Sequence, residues 1–110
     1  MKKENLIYIN LKNLDELRGR DKIINNLMAK YEVADQRNVY VDSYLNDTKS
    51  SLEQLMLDTK VMALEDMQPR IICYRLWDLF PERTGKSAIE TIDYCVENHI
   101  SIFDDYAKAD

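Results

Sequence analysis

Runs of apolar residues alternate along this chain with stretches in which apolar positions recur every three or four residues. Leu6–Leu11 (LIYINL) is apolar almost throughout, the pattern of a parallel strand covered on both faces. From about Asp21 the period lengthens. Ile24, Leu27, Met28 and Tyr31 then predict an amphipathic helix ending near Val33. Asn38–Tyr44 (NVYVDSY), with its valines and tyrosines, reads as a second strand. Ser50 followed by Glu53 forms a capping box, in which side chain and backbone donors satisfy each other at a helix start. Leu52, Leu55, Met56, Thr59, Met62 and Ala63, continuing to Met67, make one broad stripe on that helix, and Pro69 bounds it from beyond its end. Leu57, Val61 and Leu64 make a second stripe more than a third of a turn away. Ile71–Leu76 is the third strand. Ser87 with Glu90 repeats the capping box, and Ile89, Ile92, Val96 and His99 carry the third helix. Ile100–Phe103 gives a fourth strand, and the acidic stretch 104–110 is expected to fray.

The order βαβαβαβ, with short connections, predicts an α/β fold. It should be a small three-layer, open, mostly parallel four-stranded sheet with helices on both faces, forming a single domain over residues 1–110.

Composition narrows the partners. The 110 residues suffice for one core, and with 45% apolar residues, two glycines and two prolines the chain is expected to be compact. No run approaches the ~18 apolar residues of a membrane span, and the first residues lack the apolar centre of a signal peptide. A cytoplasmic protein without membrane contact is expected. Cys73 in a strand and Cys95 in a helix read as buried thiols of a reducing compartment. His99 is the sole histidine, so zinc-ligand spacing is missing. The formal charge of −5, with scattered basic residues, argues against direct binding to duplex DNA.

Residues 70–90 carry the candidate chemistry, because a strand, a turn and a helix start follow one another there. In open α/β sheets ligands bind beyond the carboxyl ends of strands. Gly85-Lys86-Ser87 resembles the end of a P-loop, but Phe80 stands where that loop needs its first glycine, and Pro81 removes a donor. The capping box makes Ser87 the N-cap, leaving Gly85 and Lys86 in the loop. Arg83 and Lys86 could then hold a single anion at the helix start. Trp77 and Phe80 either cover the sheet end or anchor a protein partner. The second stripe, Leu57, Val61 and Leu64, calls for burial against a subunit or partner, since few elements remain to cover it. His99 suits the terminal carbonyls of its helix. Asp42, Asp47, Asp78 and Asp104 could gather at the sheet edge as a magnesium site of the receiver type. That site needs paired acids after the first strand, where this chain has Asn10-Leu11-Lys12-Asn13.

From Leu6 to Phe103 the order of elements resembles the catalytic domain of serine recombinases, the resolvase and invertase family. Ile7-Tyr8-Ile9-Asn10-Leu11-Lys12 looks like its first strand, Val39-Tyr40-Val41-Asp42 like its second and Ile71-Ile72-Cys73-Tyr74-Arg75-Leu76 like its third. Ile89 to Phe103 looks like the helix and strand beyond. The resemblance implies a nucleophilic serine after the first strand and arginines around the phosphate. Lys12 stands at the nucleophile position and Asn10 at the first arginine position. Trp77-Asp78-Leu79-Phe80-Pro81 replaces the signature with two arginines, and Ser50 or Ser51 the arginine before the second helix.

The sequence therefore predicts a non-catalytic resolvase-like protein with no cofactor, no metal and no small-molecule substrate. It would act as a regulator or inhibitor by binding another protein, by homo-oligomerising, or both. The partner would be a recombinase, or a host defence or replication factor if the gene belongs to a phage or mobile element. Partner contacts fall to Leu57, Val61, Leu64, Trp77 and Phe80. Two alternatives stand beside this one: an acidic inhibitor that imitates nucleic acid, and an active DNA recombinase-type domain.

Overall fold

The computed structural model describes residues 2–45, 50–79 and 85–108. Strand β1 (Lys2–Leu11) leads into a short helix α1 (Leu14–Arg18) and then α2 (Arg20–Lys30). Strand β2 (Val39–Ser43), helix α3 (Ser50–Leu64), strand β3 (Met67–Cys73), helix α4 (Gly85–Glu97) and strand β4 (Ser101–Asp104) follow. The four strands form one sheet in the order β2-β1-β3-β4, with every pairing parallel. The predicted α/β class, open sheet and two helical layers are all present.

The sheet order fixes the layers. The chain steps outward from β1 to β2, then back across β1 to β3 and on to β4. Right-handed crossovers put α1 and α2 on one face and α3 and α4 on the other. Alternation along β1 feeds both cores. Leu6 and Tyr8 pack with Ile71, Cys73, Leu55 and Cys95 beneath α3 and α4. Ile7, Ile9 and Leu11 pack with Ile72, Ile24 and Leu27 beneath α2. From Leu6 to Leu11 no side chain of β1 is more than 1% exposed, which is why that run reads as apolar throughout. Each buried aliphatic side chain there contributes about 1.5–3 kcal/mol. No described helix is long and apolar enough to cross a membrane.

Several boundaries differ from the pattern. β3 starts at Met67 and ends at Cys73, so Pro69, which does lie beyond the end of α3 at Leu64, also falls inside a strand. It is tolerated because β4 pairs with β3 only from Arg70 onward, leaving no ladder partner for a proline nitrogen on that side. Leu76, expected to end the strand, opens a 3-10 turn (Leu76–Leu79) instead. The α1 turn was not predicted; its signal is Asn13 three residues before Glu16, and Asn13 Oδ1 indeed accepts from the Glu16 N–H at 2.9 Å.

Helix ends also differ. α2 stops at Lys30 because Glu32 adopts the left-handed conformation (φ 56°) and the Val33 N–H returns to the Met28 carbonyl at 2.9 Å. α4 closes the same way. His99 (φ 56°) lies beyond the helix, and the Ile100 N–H reaches the Cys95 carbonyl at 2.8 Å. His99 thus ends the helix through its backbone conformation, not by lending a cation to the last carbonyls. The stretch expected to fray is partly held: Asp104 belongs to β4, and Asp105 is buried against Lys30 Nζ at 2.7 Å and the Tyr31 hydroxyl.

Candidate functional site

All four strands run the same way, so Leu11, Ser43, Cys73 and Asp104 end at one edge of the sheet. The crossover direction reverses between β1 and β3, and that crevice is where open α/β sheets receive ligands. Here it is filled by the protein's own side chains. Asp78, on the 3-10 turn, has no exposed surface, and its Oδ2 accepts from the Asn10 N–H at 3.3 Å. Its Oδ1 faces Arg75 Nε at 3.4 Å and Lys12 Nζ at 3.7 Å. Arg75 spans the crevice, donating from Nη1 to Glu16 Oε2 (2.7 Å) and from Nη2 to Glu16 Oε1 (2.9 Å) and the Asn10 carbonyl (2.8 Å). The Lys12 N–H donates to Glu16 Oε1 at 2.7 Å.

Electrostatics follow from this packing. Burial pushes the Asp78 pKa up, against the opposing pull of Arg75, the Asn10 N–H and Lys12. Burial acts the same way on Glu16, but there the bonds from Arg75 and the Lys12 N–H win and hold the carboxyl below its ordinary range. Asn10 Oδ1, Arg75 Nε and Asp78 Oδ1 are buried without a hydrogen bond, the last two meeting only as a misaligned ion pair. Sequence reasoning placed Lys12, Asn10 and Asp78 at this edge but missed Arg75 and Glu16, which lie 59 positions apart.

The other acids expected at the edge serve the backbone. Asp42 is the cap of α3. Its Oδ1 accepts from the Ser51 N–H and its Oδ2 from the Leu52 N–H, both at 3.0 Å, and Oδ2 also takes the buried Tyr8 hydroxyl at 2.7 Å. The predicted Ser50–Glu53 capping box is therefore superseded: Ser50 is already helical, and a charged acceptor from β2 satisfies the first donors more strongly than a hydroxyl. Asp104 Oδ1 accepts from the Leu76 and Tyr106 N–H groups. Asp47 lies outside the described residues. Among the described residues no group of three His, Cys, Asp or Glu is arranged to hold a metal ion.

The second predicted box is also displaced. α4 begins at Gly85, so Gly85, Lys86 and Ser87 occupy its first turn and Ser87 is not the N-cap. Phe80 and Arg83 lie outside the described residues, as does the Lys86 side chain, so the anion contact and half of the aromatic anchor fall there too. Trp77 is 38% exposed and stands edge-on to Tyr106, their ring centres 5.1 Å apart.

Leu57, Val61 and Leu64 are 54%, 51% and 88% exposed. They form the outward face of α3, directly opposite Leu55 and Thr59, which face the sheet. No described element covers them. They and Trp77 belong to two surfaces, the crest of a helix and the edge of the sheet. A third apolar surface was not expected. Ile89, Ile92 and Val96, predicted to carry α4, are exposed, and Cys95 is buried instead. α4 stands over the last strand of the sheet, where β4 has no outer neighbour to cover that flank. The thiols match the sequence reading: Cys73 and Cys95 are buried and unpaired, and burial raises both pKa values.

No protein-family model matches this chain, and no curated protein or solved structure matches it either.

Proposed function

We propose that this chain is a non-catalytic, resolvase-like α/β protein that acts as a regulator or inhibitor by binding another protein. The observation that carries the reading is the outward face of α3. Three large aliphatic side chains stand in water there, one of them 88% exposed, although the same helix has a complete inward stripe. Exposed aliphatic clusters of this kind favour association, since covering them removes apolar surface from water. Two further points support the non-catalytic half. Lys12 and Asn10 occupy the positions that the resemblance assigns to nucleophile and arginine, and Asp78 and Arg75 plug the crevice beside them.

Site-specific photo-crosslinking tests the reading. A photoreactive residue at Leu64 should give one dominant protein adduct in cells, and the same group at Asn26 on α2 should give little. Equal, diffuse products at both positions would refute it. Incubation with supercoiled DNA should leave the protein unmodified. A covalent protein–DNA adduct would overturn the non-catalytic assignment.

A further inference from the structure

The charge of this protein is divided unevenly between its two helical layers. α3 and α4 carry Glu53, Asp58, Glu90, Asp93 and Glu97 against Lys60 and Lys86. On α1 and α2 the balance reverses, with Arg18, Arg20, Lys22 and Lys30 against Asp15, Glu16 and Asp21. Acidity is thus gathered on the layer that presents Leu57, Val61 and Leu64. Among the described residues none of the ion pairs involves Glu53, Glu90, Asp93 or Glu97, all of them exposed.

The shape of that layer is equally specific. A groove of about 230 Å³ runs between α3 and α4, lined by Met56, Lys60, Glu90, Thr91 and Tyr94. Lys60, the one basic residue among the described lining residues, lies against the Tyr94 ring at 5.5 Å. Leu57 and Leu64 of the α3 crest rise beside one bank, while Val61 turns to the opposite flank beside Arg37 and Tyr40. Glu90, Asp93 and Glu97 lie along the helix that forms the other bank. Two helices with Met56 and Tyr94 between them suit a helix laid lengthwise, and a methionine adapts to varied side chains.

Building on the protein-binding reading above, we infer that the α3–α4 face docks a basic amphipathic helix of a partner protein. Its apolar side would cover Met56, Leu57 and Leu64, and its lysines and arginines would face the carboxylates of α4. A second copy of this chain is a poor occupant, because two such faces would set acid against acid.

The test uses the intact protein and two fluorescein-labelled synthetic helices, one of leucine and lysine and one of leucine and glutamate. The leucine–lysine helix should bind, and its counterpart should bind at least about tenfold more weakly. Added salt should weaken the first complex, since exposed charges are screened beyond ~10 Å at 0.1 M. Amide shifts on binding should map to α3 and α4. Leu57→Ser with Leu64→Ser, and separately Glu90→Gln with Asp93→Asn, should each raise Kd by about tenfold while far-UV circular dichroism stays unchanged.

Equal binding of the two helices would overturn the basic-partner inference. If the serine pair still abolished that binding, and Leu64 still crosslinked a protein in cells, the broader binding reading would survive. Binding of neither helix, or shifts mapped to α1 and α2, would also overturn the inference. So would a concentration-dependent dimer that the serine pair dissolves, since a second copy would then own the face.

Discussion

Removing the carboxylate of Asp42 should unfasten α3 from the sheet. That carboxylate is 2% exposed and holds three donors at once: the Tyr8 hydroxyl at 2.7 Å and the Ser51 and Leu52 N–H groups at 3.0 Å. Asp42→Ala strands all three. The Tyr8 hydroxyl belongs to a residue with no exposed surface, so water cannot replace its partner, and leaving it unpaired costs about 1–3 kcal/mol. The two N–H groups lie at a partly exposed helix start, where loss of a cap costs about 0.5–2 kcal/mol. The expected loss is therefore about 1.5–5 kcal/mol, a large share of the 5–15 kcal/mol typical of a whole domain. Tyr8→Phe leaves both N–H bonds in place and should cost only about 1 kcal/mol. Because the two side chains share a bond, the double variant should be less destabilised than the sum, with a coupling of about 1 kcal/mol or more. Urea denaturation followed by circular dichroism reads these numbers, with the slope expected to stay constant. Hydrogen exchange at Ser51 and Leu52 should accelerate in Asp42→Ala. A loss below ~1 kcal/mol, or additive single effects, would refute the cap.

Other expectations are as specific. Leu55→Ala, at a position with no exposed surface, should cost about 2–5 kcal/mol, whereas Leu57→Ala two residues on should fall within about 0.5 kcal/mol; similar values in urea melts would refute the assigned faces. The two carboxyls of the crevice should titrate with opposite sign. Asp78, raised by burial, binds its proton more tightly folded than unfolded, so its contribution to stability declines as pH rises through its folded pKa. Glu16 is raised by burial but lowered more by Arg75, so its stabilisation is complete above the unfolded value and is lost as pH falls through the folded one. Asp78→Asn should flatten the first slope and Glu16→Gln the second in stability–pH profiles; the reverse assignment would refute the geometry. Cys73 and Cys95 should react with Ellman's reagent only as fast as the protein unfolds, because both thiols are buried and held protonated. Prompt reaction of either would contradict its placement. Glycine at Glu32, Asp66 or His99, each in the left-handed region, should stabilise by about 0.5–1 kcal/mol, measured as a raised denaturation midpoint.

Amphipathic spacing made both stripes of α3 legible. Leu55 and Thr59 recur at a helical period and do face the sheet, and Leu57, Val61 and Leu64 recur on the opposite side and do face water. The same spacing failed on α4, because periodicity reports that a helix has an apolar side without naming its neighbour. Ile89, Ile92 and Val96 look outward where the sheet has run out of strands, and among the described side chains of α4 it is Cys95 and Tyr94 that meet the core. Capping failed for a related reason. Ser50 and Glu53 satisfy the local motif, but the acceptor that prevails, Asp42, lies on a neighbouring strand, and only the folded sheet brings it to the helix start.

What the sequence settled alone was the alternation of strands and helices, the parallel sheet that short crossovers force, and the two-sided burial of β1 written into Leu6–Leu11. Those are properties of neighbours along the chain. Tertiary structure decided the order β2-β1-β3-β4, the plug of Glu16, Arg75 and Asp78 in the β1–β3 crevice, and the gathering of acidic and aliphatic residues on one layer. Such features depend on which face each crossover takes and on which distant side chains meet there. A carboxylate and a guanidinium 59 positions apart leave no period in the sequence, and become partners only when burial makes the unpaired charge too costly to keep.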